Sequence, residues 1–245
     1  MSPEGQPIRL NLGCGLLAPQ GWINVDGSWN ARLAKIPLIR RMLSSLRILP
    51  PGKMEIPWSS DIFIHDVRKP LPFPDGSAAA IYASHVLEHL YFQEARKLLL
   101  ESYRVLASGG VLRVVVPDLK AIVEEYLGER PFGPLSGEMA ALQPADRFNQ
   151  RLLMRSPEPP SSNLFYRVYE AWQGFHSHKW MYDLDSLVAL FRWACFVNVE
   201  PKECHVSCID NIQAVEDKSR VLNGAGICVE GIKPSRNDSP PGKNW

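Results

Sequence analysis

Apolar runs of strand length alternate along the chain with patterns of helical period. The runs are IRLNLG at 8–13, WINVD at 22–26, IFIHDV at 62–67, AAIYAS at 79–84, VLRVVVP at 111–117, VNVEPKECHV at 197–206 and GICVEGIKP at 226–234. Strands alternating with helices predict a parallel sheet covered by helices on its faces. Between the fourth and fifth runs, Ala95, Leu98, Leu99, Ser102 and Leu106 share one helical stripe. Gly109 and Gly110 read as its stop, with a buried Val-rich strand behind them. Asp118 and Asp183 precede the apolar patterns DLKAIVEEYLGE and DLDSLVALFRWACF, where their carboxylates can cap helices. The last two runs are joined by a long polar segment without helical period, so they are expected to pair antiparallel. The predicted fold class is α/β, a three-layer sandwich with a mostly parallel sheet and an antiparallel C-terminal edge strand.

Two stretches interrupt this alternation. From about 28 to 60 the chain carries Arg32, Lys35, Arg40, Arg41, Arg47 and Lys53, with no acidic residue between Asp26 and Glu55. Within it Leu38, Ile39, Met42, Leu43 and Leu46 recur at helical spacing, which describes a basic amphipathic helix. Such a helix either packs on the sheet with its cationic face in water or touches anionic lipid or a phosphorylated substrate, so weak peripheral membrane contact through 33–49 is an expectation. From about 130 to 182 the chain is rich in proline, with helical patterns over 147–154 and 164–172. In the second of these, Tyr166, Tyr169 and Trp172 read as packing residues or as a substrate platform. This stretch follows the fifth strand, whose carboxyl end faces the ligand side of an open α/β sheet, so it is a candidate lid. One domain spanning 1–245 with these two insertions is expected.

Composition narrows the function classes. The 245 residues are 45% apolar and 22% charged, with 27 Lys and Arg against 26 Asp and Glu. That balance excludes a disordered chain and a broadly nucleic-acid-coating protein. No leader-like N-terminus and no apolar run of membrane-spanning length appear, so a cytoplasmic protein is expected. The five cysteines are widely spaced and form no CxxC pair, which points to reduced structural thiols rather than a zinc cage.

The chemistry sits at strand ends. LNLGCG places Gly13 and Gly15 directly after the first strand, where missing β-carbons let backbone N–H groups approach a ligand. The second strand ends in Asp26, which either accepts from ribose hydroxyls or shapes the turn before Gly27; the third ends in Asp66, with the same two readings. At the tip of the fourth strand, His85, Glu88 and His89 are spaced HxxEH, so that two imidazoles and a carboxylate share one face if the segment is helical. A metalloprotease would need a long helix and a further ligand, so local hydrogen bonding by Glu88 and His89, with His85 facing the pocket, is the leading reading; a metal held by His85, Glu88 and His89 is the alternative. Later, GFHSHKWMYD offers His176, His178, Lys179, Tyr182 and Asp183 before a helix. His178 is the first choice as a base for an acceptor hydroxyl and His85 the second, unless His178 simply packs against Trp180.

Taken together, LNLGCG, WINVD, HDVRKPLPFPDGSAAAIYASHVLEHL and VLASGGVLRVVVPD resemble a class I S-adenosylmethionine-dependent methyltransferase of the broad type 11 kind, over roughly 8–128, and HKWMYD is similar to a segment of predicted methyltransferases of that group. The resemblance implies a Rossmann-like fold and S-adenosyl-L-methionine as cofactor, with S-adenosyl-L-homocysteine as product. It implies that Gly13 and Gly15 approach the methionine moiety, Asn11 and Cys14 line the turn, and Asp26 holds the ribose. It places Asp66 and Val67 at the adenine, and Ser84 and His85 beneath the sulfonium. It further implies a metal-binding carboxylate and histidine in some ubiquinone-pathway relatives of the matching segment. One departure stands out: Asp26 follows Gly15 by eleven residues, whereas a dinucleotide fingerprint spaces its acid about twenty on. LLAPQGW is too short for a full crossover helix, and no basic residue lies between Gly13 and Asp26 to hold a pyrophosphate, so NAD is disfavoured. The expected activity is methyl transfer to an oxygen or nitrogen of a small molecule or a surface-polysaccharide sugar. The alternatives are a quinone or lipid-pathway methyltransferase and a catalytically silent, methyltransferase-like binding subunit. The partner expected is therefore a small-molecule or glycan acceptor, not nucleic acid.

Overall fold

The computed structural model describes residues 7–36, 58–131, 143–153, 177–221 and 226–235, together with Leu38, Met42 and Ser45. Seven strands form one sheet: β1 (Ile8–Leu12), β2 (Ile23–Asp26), β3 (Phe63–Ile64), β4 (Ala78–Ser84), β5 (Leu106–Val116), β6 (Val197–Pro201) and β7 (Ile227–Ile232). Their order is β3-β2-β1-β4-β5-β7-β6. The first five strands run parallel to one another, and β7 runs antiparallel to both β5 and β6. The α/β class and the mostly parallel sheet are those expected, with the antiparallel pairing at one edge. The C-terminal strand inserts between β5 and β6, so the outermost strand is β6. From β1 the chain steps outward to β2 and β3, then crosses back to lay β4 on the other side of β1. The crevice between the carboxyl ends of β1 and β4 is thus the point where the winding reverses, and open α/β sheets bind ligands there.

Five helices are described: α1 (Trp29–Ala34), α2 (Phe92–Val105), α3 (Leu119–Leu127), α4 (Pro144–Leu152) and α5 (Leu184–Trp193). Helix α2 buries Ala95, Leu98, Leu99, Ser102 and Val105, and α5 buries Leu187, Leu190 and Phe191. Both pack on the sheet face formed by Leu10, Leu12, Ile81, Ala83, Leu112, Val114 and Val229. Each fully buried aliphatic side chain there contributes on the order of 1.5–3 kcal/mol relative to exposure. Helix α2 ends at Val105 rather than at the glycines. Leu106, assigned to its stripe by sequence, already pairs with Ala78 as the first residue of β5. Gly109, at φ 78°, lies inside the strand where the β4–β5 register shifts, and a β-carbon on Gly110 would stand 2.9 Å from the Ala107 carbonyl. The two glycines therefore serve a kink in β5, because pairing Leu106 with β4 buries it completely whereas another turn of helix would not.

The opposite face is built without a helix between β1 and β2. As the short LLAPQGW linker requires, residues 13–22 form turns. Asn11 donates from Nδ2 to the Leu17 carbonyl and to Asn24 Oδ1, both at 2.9 Å, and Asn24 donates to the carbonyls of Pro19 and Trp22, so two buried amides stitch the linker down. The sheet face left open is covered by the segment after β6. Its Ile209, Ile212, Val215 and Val221 pack with Trp22 on Ala80, Tyr82, Val111, Val115 and Cys228. That segment was expected only as a polar connection. It is fastened by Arg113, fully buried in β5, which forms ion pairs with Glu216 at 2.8 Å and Glu230 at 2.7 Å and donates to the carbonyls of Glu203 and Val206.

Both predicted caps are present. Asp118 accepts from the Lys120 N–H at 3.0 Å, and Asp183 accepts from the Ser186 N–H at 2.9 Å while Ser186 Oγ accepts from the Asp183 N–H. The Ser186 N–H holds the Asp183 carboxyl below its ordinary value of 3.8. A depressed folded-state value means that the cap's stabilisation is present above the unfolded value and lost as pH falls through the folded one. Replacing Asp183 by alanine is expected to cost about 1 kcal/mol at neutral pH. That difference should shrink below pH 3.8 in urea titrations.

Of the basic segment, residues 33–36, Leu38, Met42 and Ser45 are described; Leu38 and Met42 are exposed, and the rest, including Arg40, Arg41 and Arg47, lies outside the described residues. Most of the second insertion also lies outside them, including Tyr166, Tyr169, Trp172 and His176. Its described helix α4 docks on α3 through Arg151 and the buried Glu125, 3.4 Å apart, and through the Tyr126 and Phe148 rings. Among the described residues, no helix is long and apolar enough to cross a membrane.

Candidate active site

A cavity of about 420 Å³ lies at the reversal point of the sheet, lined by Asn11, Gly13, Cys14, Gly15, Leu16, Leu17, Trp58, Tyr82, Ser84, Val215, Asp217 and Arg220. Its floor is the turn that follows β1. Gly13 and Gly15 take φ values of 64° and 55°, a left-handed backbone that favours glycine. A β-carbon on Gly13 would stand 2.4 Å from Val86 Cγ2, whereas one on Gly15 would meet nothing within 4 Å. The first glycine thus lets the turn pack on the loop after β4, and the second leaves its backbone open to a ligand. Cys14 between them donates its N–H to the Val25 carbonyl. Burial, reinforced by the charge of Asp26, pushes its thiol up to about 12, so it lines the turn as a neutral group.

Asp26 ends β2, 8% exposed, and is one bond removed from the cavity wall. Its Oδ2 accepts from the Gly15 N–H at 3.0 Å and its Oδ1 from the Ser28 N–H at 2.7 Å. Each oxygen keeps a further lone pair for a ligand. Gly27 follows because the chain is crowded there: a β-carbon would stand 2.6 Å from the His65 carbonyl and 3.0 Å from Asp66 Cα. The end of β3 is thereby held against the end of β2. The Asp66 side chain is engaged by Arg68, whose Nε and Nη2 donate to its two oxygens at 2.9 and 2.7 Å and hold the carboxyl below its ordinary range. Val67 packs against the core. Neither residue lines the cavity.

On the other side, β4 delivers Tyr82 and Ser84, whose hydroxyls are buried without hydrogen-bond partners among the described residues. Unpartnered polar atoms in a cavity wall are the groups that a bound ligand satisfies. His85 follows at φ 54°, a strained conformation for a residue with a β-carbon, of the kind retained at functional sites. Its Nε2 lies 3.1 Å from the carbonyl of Arg220, and its Nδ1 3.1 Å from Glu88 Oε1.

Of the residues singled out from the sequence, Asn11, Gly13, Cys14, Gly15 and Ser84 line this one cavity, together with Val215, Asp217 and Arg220, which the sequence did not single out. These come from the covering segment, where Asp217 accepts from the Ser219 N–H at 2.9 Å and Arg220 reaches toward the Ser84 carbonyl. The only local signal is the Asp-Lys-Ser turn, which carries no address in space. The second insertion, expected as a lid, contributes no described residue to the cavity wall.

His178 lies elsewhere. It is 8% exposed and packs edge-on against His89, with ring centroids 4.9 Å apart, instead of against Trp180, which packs on Phe92. Burial pushes both imidazoles below their usual range. Glu88, also buried, accepts through its backbone carbonyl from the N–H groups of Lys179 and Trp180, which seats the 177–180 segment on the loop after β4.

The glycine turn, the acid at the end of β2, and a cavity at the reversal point of a 3-2-1-4-5-7-6 sheet form the fold and crevice of the class I S-adenosylmethionine-dependent methyltransferases. Residues 10–114 match the family model described as a methyltransferase domain, and the chain carries this domain. The open backbone at Gly15 and the unpartnered Ser84 hydroxyl fit its cofactor, S-adenosylmethionine. Among solved structures the chain is similar to a SAM-dependent methyltransferase from Methanosarcina mazei, at 17% identity over 93% of this chain and 92% of that one, with a TM-score of 0.45. It is also similar to a SAM-dependent methyltransferase from Thermotoga maritima, described as a possible histamine N-methyltransferase (16%, 94% and 83%, TM-score 0.42), and to the YcgJ protein from Bacillus subtilis (15%, 94% and 93%, TM-score 0.44). None of the curated proteins matches the chain.

Proposed function

We propose that this methyltransferase acts on an oxygen or nitrogen of a small polar molecule or a surface-polysaccharide sugar. The observation that supports this acceptor class is the polar wall beside the glycine turn, where Ser84, Asp217 and Arg220 offer a hydroxyl, a carboxylate and a guanidinium to a hydroxyl- or amine-bearing acceptor. When bound, S-adenosylmethionine supplies a sulfonium-borne methyl group for direct transfer. In this reading the backbone of Gly13 and Gly15, with Asn11 and Cys14, receives the methionine end, and Asp26 accepts from the ribose hydroxyls. Asp66 and Val67, held beside β2 by the close approach at Gly27, lie on the adenine side. The chain contributes chiefly by positioning the acceptor against the methyl group and excluding water.

His85 is the proposed acceptor-side imidazole, because it follows Ser84 directly and its ring reaches the carbonyl of the cavity-lining Arg220. His85→Asn, which tolerates a left-handed backbone, is expected to leave S-adenosylmethionine affinity unchanged and slow turnover about 10²-fold. An unaffected rate would remove His85 from this role. The acceptor class is tested by S-adenosylhomocysteine formation across a panel of sugars, amines and quinones. Turnover with sugars or amines supports the reading, and turnover confined to quinones overturns it. Calorimetry that finds no S-adenosylmethionine binding at millimolar ligand would point to a silent binding subunit instead.

A further inference from the structure

Behind the β4 side of the cavity, Glu88, His89 and His178 converge, and among the described residues the Glu88 carboxylate oxygens and His178 Nδ1 have no hydrogen-bond partner. Glu88 is fully buried, and neither of its carboxylate oxygens has a hydrogen-bond partner among the described residues. His85 Nδ1 stands 3.1 Å from Oε1 without hydrogen-bonding geometry. His178 Nδ1 is likewise buried and unpartnered. One ligand atom from each of Glu88, His89 and His178 lies within 4.8 Å of the other two. A carboxylate held in this way costs several kcal/mol unless a cation compensates it.

The two imidazoles are set up as ligands of such a cation. His89 Nδ1 lies 3.3 Å from the carbonyl of Ser177, so that nitrogen carries the hydrogen and Nε2 keeps its lone pair. His178 Nδ1 is buried without a partner among the described residues, and with the hydrogen on Nε2 it presents its lone pair. Donating one ring nitrogen to a backbone carbonyl and presenting the other, as His89 does, is how metal-bound histidines fix their tautomer. Lys179 Nζ donates to the His89 carbonyl at 2.7 Å and adds to the anchoring of the same loop.

We propose that Glu88, His89 and His178 form a binding site for a zinc-class divalent transition ion. Two imidazoles and one carboxylate are the donors of a three-ligand zinc site with one position left for water or a ligand, whereas magnesium and calcium favour all-oxygen shells. A second cluster, Cys204, His205 and Glu216, is excluded as the site because its carboxylate is consumed: Arg113 donates to both oxygens of Glu216, and the His205 N–H donates to one of them. The ion would pin the segment that follows the second insertion to the loop next to Ser84 and His85.

The test is Zn²⁺ titration of the full chain in competition with a chromogenic chelator, alongside Co²⁺ loading read by visible absorption. One equivalent per chain is expected, with affinity lowered about 100-fold or more in His89→Ala and in His178→Ala, since loss of even an outer partner typically costs 10–100-fold. S-adenosylmethionine calorimetry and circular dichroism on each variant separate loss of the ion from loss of the fold or of the cofactor site. Should the variants fail to fold, the wild-type Co²⁺ spectrum decides: tetrahedral bands without a thiolate charge-transfer band support the site. Absence of one-equivalent binding, retention of full affinity in both variants, or a thiolate band lost in Cys204→Ser would overturn it.

Discussion

Replacing Arg113 by methionine is expected to lower the stability of the protein by about 3–5 kcal/mol, because it strands two carboxylates where water cannot reach them. Arg113 is fully buried, and Glu216 and Glu230 are nearly so, at 3% and 2% exposed. The guanidinium donates to Glu216 through Nε and Nη2, both at 2.8 Å, and to Glu230 through Nη1 at 2.7 Å. Glu230 in turn accepts from Ser207 Oγ and the Cys208 N–H, and Glu216 from the His205 N–H. One cation therefore closes a network that ties the covering segment to the middle of the sheet. The loss is measurable as a reduced urea midpoint with a similar slope, and a change below about 1 kcal/mol would contradict it. Substituting all three members by apolar residues of similar size should recover much of the stability, since a well-packed core can replace a buried ion cluster. Because Val215, Asp217 and Arg220 reach the cavity from the same segment, the single variant should also weaken cofactor binding.

Asp26→Ala is expected to weaken S-adenosylmethionine binding roughly 100-fold, from two hydrogen bonds to a charged acceptor at about 1.5 kcal/mol each. The carboxylate has two duties in the proposed site. It accepts from the N–H groups of Gly15 and Ser28, fixing the glycine turn against the end of β2, and its remaining lone pairs are available to the ribose. Alanine removes both at once. Calorimetry at a fixed salt concentration reads the effect, and an affinity within threefold of the wild type would remove Asp26 from the cofactor site. Zinc binding at Glu88, His89 and His178 should be unaffected by this change, because the two sites share no residue.

Much of the sheet was legible because a buried parallel strand advertises itself as an uninterrupted apolar run. Runs such as AAIYAS and VLRVVVP became β4 and β5, and the LLAPQGW linker was correctly too short for a helix. The weaker readings have physical causes. IFIHDV shrank to a two-residue strand because β3 pairs only with the end of β2, through Val25 and Asp26. The glycines after α2 were read as a helix stop because local propensity is the same for a stop and for a strand kink, and only the pairing of Leu106 with Ala78 separates the two. Arg113 stands inside a valine run, and its partners lie 103 and 117 residues away along the chain, so no local pattern pairs it with them.

The same division runs through the site. The glycine turn, Asp26 and the residues at the end of β4 lie at strand ends, and strand ends follow from periodicity, so the sequence alone determined the fold class and which strand ends border the cavity. Residues contributed by irregular segments follow no period. Tertiary structure alone decided that the segment after β6 replaces the missing first helix and brings Asp217 and Arg220 to the cavity. It alone moved His178 away from the cavity wall to face His89 and Glu88. In both cases the position is set by which apolar surface remained uncovered and which buried charge remained unpaired, and these are properties of the assembled sheet that no local stretch of residues encodes.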